Sequence, residues 1–433
     1  MRDLAFISTM LVLLPLAAMR PFVGVLLWCW IAFMNPHRLV WGAAAELPWA
    51  AAVFCVTLLG CVLAGEPRRP VVNAVTLLVV TLMACITVTT LAALGPPGPT
   101  WEKYESVMKV LLGLLVVGAL LTDRWRIHAL IWVMVLSIGY YGVRGGIFSL
   151  ATGGNFRVWG PPQTMITDNN HLAAAMLVTL PLMNYLRLQS AHRLVRWGLA
   201  AAMSLTLLAV LGSYSRGALV GLAAVVGLLW LRGRNKLVTG MAVVMLAVGG
   251  WVFMPPAWTD RMAGISSFEQ DQSATGRLVL WDISWRLALQ RPLLGAGFTG
   301  PYSQAVVDTV QPGGPARAVH SIWFEFLGEH GFPTFFVWLG LTVAGVWYSI
   351  ILVRLARAGP DLAWAGDLGR MAQLSIAAYL VSGSFLSLSY WDFYWTLLVV
   401  LGAAHALATH TLAVTAAVPS WQPRAPVRGW RTA

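Results

Sequence analysis

Residues 71–94 read VVNAVTLLVVTLMACITVTTLAAL, a stretch without a single charged side chain. As an α-helix it would be about 36 Å long, enough to cross the roughly 30 Å hydrocarbon core of a bilayer. Similar apolar segments recur along the whole chain, in which 58% of the 433 residues are hydrophobic and only 11% are charged. The sequence therefore predicts an all-α protein, a polytopic transmembrane helical bundle.

The apolar segments predict twelve crossings, or thirteen if the short run at 4–18 crosses by itself instead of joining the next segment across a break at Arg20-Pro21. The twelve lie at 22–34, 49–64, 71–94, 107–121, 127–149, 171–186, 196–213, 217–231, 237–254, 331–353, 372–390 and 393–410. They divide the chain into N-terminal transmembrane helices (1–254), a large partly helical loop (255–330), C-terminal transmembrane helices (331–410) and a basic tail (411–433). The run at 4–18 lacks a small-residue cleavage site and is not expected to be a removable signal.

The net charge of +12 is distributed unevenly between the two sides of the predicted membrane. One set of alternate loops holds 17 of the 29 basic residues and four acidic ones, while the other set holds 12 basic and 13 acidic residues. Because basic loops stay in the cytoplasm, the loop 255–330 is expected on the non-cytoplasmic side of the membrane. The excess positive charge is thus explained by the membrane topology, and no nucleic acid partner is expected.

Motifs for metal or cofactor chemistry are missing from the sequence. The four cysteines lie in apolar runs at spacings typical of neither a disulfide framework nor a metal site. There is no DxD pair, no HExxH, no P-loop and no GxSxG motif with triad partners. The prediction is a site without metal and without cofactor.

The first polar segment on the non-cytoplasmic side, about 140–170, contains Arg144, Arg157 and Asn170, with glycine pairs at 145–146 and 153–154. Paired glycines permit tight turns and leave backbone amides open to an anion. The alternative is a solvated Gly/Pro-rich loop.

The turn GSYSRGALVG at 212–221 places Tyr214 and Arg216 where the chain returns into the membrane. An arginine at that depth is costly unless it meets an anion or a carboxylate. The alternative is that its side chain reaches phospholipid headgroups.

Within the loop 255–330, one set of apolar residues at helical spacing predicts an amphipathic helix in the membrane interface: Leu278, Trp281, Trp285 and Leu289. Thr275 is placed to cap this helix, so that Arg277 in its first turn would attract an anion. Lipid headgroups are the alternative partner.

The segment AVHSIWFEFLGEHGFP at 318–333 places His320 on a helix at the outer boundary of the membrane. A lone histidine on a Trp-rich helix is usually structural, and otherwise a candidate for acid–base chemistry. Glu325 and Glu329 share one helix face, where they orient the histidine or contact water. Lys103 is interpreted as part of an interfacial helix start.

Together these residues suit a lipid-interface pocket for phosphate or pyrophosphate, since arginines bind such groups well. A nearby histidine base would let a hydroxyl attack the carbon that bears the leaving group. The candidate residues are Arg144, Arg157, Arg216, Arg277 and His320.

Four motifs follow one another along the chain: YSRGA (214–218), TGR (275–277), RPLLGAGF (291–298) and HSIWFEFLGEHG (320–331). This combination of motifs, in this order, resembles the O-antigen ligase and polymerase superfamily. GGNFRVWGP (153–161), DNNHLA (168–173) and RPFVGVLLWCWIAFMNPHRL (20–39) are similar to its O-antigen and O-glycosylation ligase branch. The resemblance covers essentially the whole chain. The family often has Asn after the histidine, where this chain has Ser321, which retains a small polar side chain.

The resemblance implies a glycosyltransferase that moves O-antigen polysaccharide from undecaprenyl pyrophosphate to a hydroxyl of the lipid A-core, at the periplasmic face and without a metal. Arg216 and Arg277 would hold the pyrophosphate, and His320 would activate the acceptor. Arg144 and Arg157 are added from their loop positions. Candidates for supporting roles are Tyr214, Ser321, Asn170 and Glu325. Direct displacement would invert the anomeric carbon.

Two kinds of alternative stay open. An O-antigen polymerase or a protein O-oligosaccharyltransferase would use the same donor and differ only in the acceptor. A lipid or glycan transporter is the alternative from another class, although transporters tend to show inverted repeats and charges in mid-membrane. Membrane lipids are expected partners in every case.

Overall fold

The computed structural model describes residues 2–66, 72–233, 235–263 and 272–417. The predicted basic tail therefore lies outside the described residues from position 418 onward. Of the described residues 80% are helical, and none lies in a strand. The all-α prediction is confirmed.

The described residues form sixteen α-helices joined by turns and short 3-10 segments. They are α1 Arg2–Met19, α2 Pro21–Met34, α3 Trp49–Ala64, α4 Ala74–Leu91, α5 Pro97–Leu120, α6 Arg124–Ala151, α7 Asn169–Gln189, α8 Arg193–Gly212, α9 Arg216–Arg232, α10 Lys236–Phe253, α11 Pro256–Ala263, α12 Gln272–Gln290, α13 Gln304–Val307, α14 Ile322–Leu355, α15 Ala363–Gly383 and α16 Asp392–Ala417. Each predicted crossing overlaps one of these helices, but 372–390 extends seven residues past the end of α15 at Gly383.

Seven of the described helices are long and apolar enough to cross a membrane: α1, α4, α6, α8, α10, α14 and α16. Helices α2 and α3 are apolar but shorter. The chain is a multi-pass membrane protein, whereas the count of twelve or thirteen crossings stays a prediction.

The chain reverses direction at Arg20, where the sequence predicted a break. Pro21 is the first residue of α2 and offers no N–H to continue α1. The ring of Phe6 near the start of α1 lies 6.1 Å from that of Trp30 near the end of α2. The two helices therefore lie side by side and antiparallel, so they are not one broken helix.

Small residues bring α6 and α8 into close contact in the core. A Cβ atom on Gly146 would lie 2.2 Å from the carbonyl oxygen of Leu205, and one on Gly142 would lie 2.3 Å from the Thr206 hydroxyl. Such a Gly-xxx-Gly face is typical of helix pairs in membranes. The interpretation of Gly145-Gly146 as an anion-binding turn is wrong, because these residues lie inside α6. Only Gly153 and Gly154, at φ 57° and 75°, turn the chain.

Replacing Gly146 by alanine is expected to lower the free energy of unfolding by about 1–3 kcal/mol. The added methyl group would meet the backbone of α8, which cannot move aside as a flexible side chain can. Thermal unfolding in detergent measures the effect. Gly198→Ala on α8 is the matched control, because a Cβ atom added at Gly198 would meet nothing within 4 Å. Equal melting temperatures for the two variants would contradict the close contact.

Helix α14 is bent at Gly331, whose φ of 71° and ψ of −178° interrupt the helix two residues before Pro333. The RPLLGAGF motif wraps this kink. Ala296 donates its N–H to Gly328 O (2.9 Å), and Phe332 donates its N–H to Pro292 O (2.8 Å). Backbone groups freed by the kink are thus hydrogen bonded, which holds the first part of α14 against α12.

Candidate functional site

His320 lies in an extended segment just before α14, held by a hydrogen bond on either side. Trp281 on α12 donates its indole N–H to Val319 O at 3.1 Å, and His320 donates its own N–H to Ser387 Oγ at 3.0 Å. The half-buried histidine has a backbone φ of 54°, which is uncommon for a residue other than glycine and persists only where the surrounding structure stabilises it. Its predicted place on a helix is wrong, because α14 begins at Ile322.

The turn before α9 is fastened to α11 by two arginines. Arg216 is the first residue of α9, and its Nε donates to Arg261 O at 2.8 Å. Arg261 in return donates its Nε to Tyr214 O at 2.9 Å. Tyr214, at φ 60°, donates its hydroxyl to Gly154 O at 2.7 Å. The YSR turn therefore has a fixed conformation that sets the position of Arg216.

Arg277 lies in the second turn of α12, because the described helix begins at Gln272. The prediction that Thr275 caps this helix is therefore wrong. Burial lowers the pKa of the Arg277 guanidinium, and the positive charge of Arg216 lowers it further, while Asp168 opposes both. The charges of Arg216 and Asp168 both act on Arg277, which indicates that the three side chains lie near one another.

Arg261 belongs to the same group of positive charges. Its pKa is lowered by burial and by the charges of Arg157, Arg216 and Arg277. The Arg157 guanidinium carbon lies 5.7 Å from the centre of the Tyr214 ring. The charges of Arg157, Arg216 and Arg277 all act on Arg261, so the four guanidinium groups lie in one region of the protein.

The N-terminus of α7 brings one acidic residue to this cluster. Asp168 accepts the Asn170 backbone N–H and its side-chain amide, each at 2.8 Å, and lies 3.4 Å from His171 Nδ1. Burial opposes ionisation of Asp168, but hydrogen bonds from His171 and Asn170 outweigh it and lower the pKa. Asn169 ties this helix to the YSR turn by donating to Ser213 O at 2.6 Å.

The pKa of His320 is lowered by burial and by the charges of Arg277 and His171, against opposing effects of Glu325 and Asp168. The imidazole is therefore neutral at pH 7 and carries one nitrogen able to accept a proton. The arrangement combines a basic group with concentrated positive charge.

Two family models match separate parts of the chain. Residues 201–339 match the O-antigen ligase family model. The match supports the O-antigen ligase/polymerase superfamily and a membrane enzyme that acts on lipid-linked glycans. Residues 1–191 match a family of unknown function, DUF5935. No curated protein matches the chain.

The O-antigen ligase match includes the three predicted residues Arg216, Arg277 and His320, which the structure brings together. Tyr214 and Asn170 lie in the same region, while Arg157 reaches it from the loop after α6. Sequence reasoning missed Arg261, because its surroundings TDRM at 259–262 contain no recognisable motif.

Arg144 and Ser321 are placed differently from the rest. Arg144 is exposed on α6 and lines a cavity together with Arg2 and Arg38. The Ser321 hydroxyl is buried, and no described group forms a hydrogen bond with it. No contact in the structure links either side chain to Arg277.

Glu325 and Glu329 are buried in a polar network, contrary to the prediction that they contact water or orient His320 directly. Lys103 Nζ lies 2.8 Å from Glu329 Oε1 and 3.5 Å from Glu325 Oε1. Tyr302 donates its hydroxyl to Glu325 at 2.8 Å. Lys103 is therefore more than part of an interfacial helix start: it lies near the start of α5 and pairs with both carboxylates.

Within the described ranges, no group of three His, Cys, Asp or Glu side chains is placed to hold a metal ion. The charged groups that act on His320 are Arg277 and His171, against Glu325 and Asp168.

Proposed function

We propose that the protein transfers O-antigen polysaccharide from undecaprenyl pyrophosphate to a hydroxyl of the lipid A-core at the periplasmic face of the inner membrane. The observation that carries this proposal is the meeting of Arg216, Arg277 and a neutral His320 within the O-antigen ligase match. Arg261 and Arg157 extend the positive charge around them.

The arginine cluster suits the leaving group of this reaction. The positive charges of Arg216, Arg261 and Arg277 repel one another, and the negative charge of Asp168 compensates them only in part. A pyrophosphate placed there would relieve the repulsion, and its oxygens match the forked donors of guanidinium groups. Charge that develops on the leaving oxygen would be stabilised by groups already in position.

In the proposed reaction, a hydroxyl oxygen of the acceptor attacks the anomeric carbon of the donor while its proton passes to the His320 imidazole. The bond between that carbon and the pyrophosphate oxygen breaks, and undecaprenyl pyrophosphate leaves with the electron pair. The attack from the opposite side inverts the anomeric carbon. His320 then returns its proton to solvent.

Arg277→Ala is expected to lower kcat/KM for the donor by about 10- to 100-fold, since a charge-assisted contact is lost. Lysine at 216 or 277 should restore only part of the activity if the contact is bidentate. Arg286→Ala is the matched control, because that side chain is exposed on α12 and paired with Asp282. Donor kinetics indistinguishable between Arg277→Ala and the control would exclude Arg277 from donor binding.

The pH profile of kcat/KM should show an acid limb below the ordinary histidine value of 6.5, because the pKa of His320 is lowered and only the neutral imidazole accepts a proton. Activity is therefore full at neutral pH and falls as the pH drops through this lowered pKa. Arg277→Gln should move the limb to higher pH, since the arginine contributes to the lowering. A limb that stays in place would argue that another group titrates.

The acceptor is tested by incubating purified protein with lipid-linked glycan and each candidate acceptor. Product on the lipid A-core supports ligation. Product on the growing glycan alone would instead indicate a polymerase, and product on a protein hydroxyl a protein O-oligosaccharyltransferase. Movement of the lipid-linked glycan across the membrane without a new glycosidic bond would indicate a transporter.

A further inference from the structure

A cavity of about 610 Å³ opens beside the candidate site, between α6, the segment after α2 and the loop that follows α6. Four arginines and two tryptophans are among the residues that line it: Arg2, Arg38, Arg144, Arg157, Trp41 and Trp159. Of these, only Arg157 also reaches the cluster around Arg216.

The charge of this cavity is of one sign. No Asp or Glu is among the described residues that line it. Arg38 Nη1 donates to the neutral amide oxygen of Gln163 at 2.7 Å, which orients the guanidinium without cancelling its charge. Guanidinium groups gathered in a cleft attract an anion, and four of them match a phosphate better than a single carboxylate.

The two tryptophans add broad apolar faces to the charged cavity. Trp41 is 87% exposed and Trp159 is 57% exposed, although indole rings bury readily where protein packing allows it. Ligand sites commonly combine aromatic faces with a few charged groups that set orientation. Indole faces pack well against the C–H face of a sugar ring, so the lining suits a phosphate carried on a sugar.

Arg157 connects this cavity to the candidate site. Its guanidinium lies over the ring of Tyr214, two residues before Arg216. Val158 donates its N–H to Gly212 O at 3.0 Å, which fastens the loop to the YSR turn. A molecule bound in the cavity therefore lies next to the group that would hold the donor pyrophosphate.

We propose that this cavity binds the acceptor glycan through a phosphate group on one of its sugars, with Arg38 and Arg144 as the anion ligands and Trp41 and Trp159 against the sugar rings. The inference rests on the proposed transferase function. The donor pyrophosphate is already matched by Arg216, Arg261 and Arg277, so the second cluster of arginines serves the other substrate. The acceptor hydroxyl would extend past Arg157 toward His320.

Binding is measured with glucose 6-phosphate, glycerol 3-phosphate and inorganic phosphate as probes of the full-length protein in detergent. Glucose 6-phosphate should bind more tightly than the other two, and Arg38→Gln with Arg144→Gln should weaken it about tenfold or more. Trp159→Ala should weaken the binding of glucose 6-phosphate but not the binding of inorganic phosphate. Arg193→Gln with Arg196→Gln, in the first turns of α8, is the matched control.

Three results would overturn the proposal. Unchanged binding in the Arg38 and Arg144 double variant would remove the cavity as the site. Equal affinity for glycerol 3-phosphate and glucose 6-phosphate would identify a phospholipid headgroup site. If Arg277→Gln, in which the residues of the cavity are unchanged, loses glucose 6-phosphate binding, the probe binds in the donor site instead.

Kinetics separate this proposal from the proposed function. In an active preparation, the double variant should raise the KM for the acceptor about tenfold and leave the KM for the donor unchanged. An unchanged acceptor KM refutes the cavity proposal alone. Binding that behaves as expected in a protein without any transfer activity refutes the transferase function, and with it the identity of the bound glycan as acceptor.

Discussion

Asparagine at position 320 should lower kcat for glycan transfer by about 10²–10⁴-fold, the range that a positioned acid–base group contributes. Donor binding should stay within about twofold, because the arginines that would hold the pyrophosphate are untouched. Asparagine is chosen because His320 has φ 54°, and asparagine tolerates this conformation better than most residues. Transfer to a fixed acceptor and equilibrium binding of the lipid-linked donor are measured on the same preparation.

His320→Ala serves as a second variant, since alanine removes the imidazole and also strains the backbone at this φ. Equal losses of kcat in the two variants would assign the effect to the imidazole. His192→Asn is the matched control on an exposed histidine at the start of α8. Transfer at more than a tenth of the normal rate in His320→Asn would remove this histidine from the chemistry.

Methionine in place of Lys103 should lower the free energy of unfolding by about 3–5 kcal/mol, because removal of one partner leaves a buried charge uncompensated. Glu329 is fully buried and Glu325 is 3% exposed, and both face Lys103 Nζ. The ammonium group also lies 4.8 Å from the centre of the Tyr390 ring. The thermal unfolding midpoint in detergent and the yield of folded protein measure the loss.

Lys109→Met on the same helix is the control, because the Lys109–Glu105 pair is exposed (63% and 66%). Exposed pairs contribute about 0–1 kcal/mol. Adding Glu329→Gln to Lys103→Met should recover part of the stability, since a neutral amide needs no counter-charge. Equal midpoints for Lys103→Met and Lys109→Met would show that the buried network does not stabilise the fold.

The helices were predictable because their signal is local. A run of apolar residues such as 71–94 must satisfy its backbone hydrogen bonds internally in a lipid environment, and the α-helix does so within one segment. The break at Arg20-Pro21 follows from the missing N–H of proline. The motifs around Arg216, Arg277 and His320 likewise stand in short stretches of sequence that resemble those of a known family.

The parts of the site that were missed depend on contacts between distant segments. Lys103 and Glu329 are 226 residues apart, and no local pattern in the sequence shows that α5 and α14 bring them together. Gly145 and Gly146 look like a turn in the sequence, but the approach of α8 explains them as a packing face. Arg261 carries no motif and is found only through its contacts with Tyr214 and Arg216.

Residue composition and apolar periodicity were thus sufficient for the helical architecture, since each helix satisfies its own backbone and meets lipid through its own side chains. Only the packing of the helices decides which charged side chains lie together. The side chains of the candidate site come from α7, α9, α11 and α12, which are far apart in the sequence and approach one another only in the folded chain. Packing of this kind separates Arg144 from Arg277 and buries Glu325 away from water, whereas the sequence predicted Arg144 as an anion ligand and Glu325 as a supporting residue.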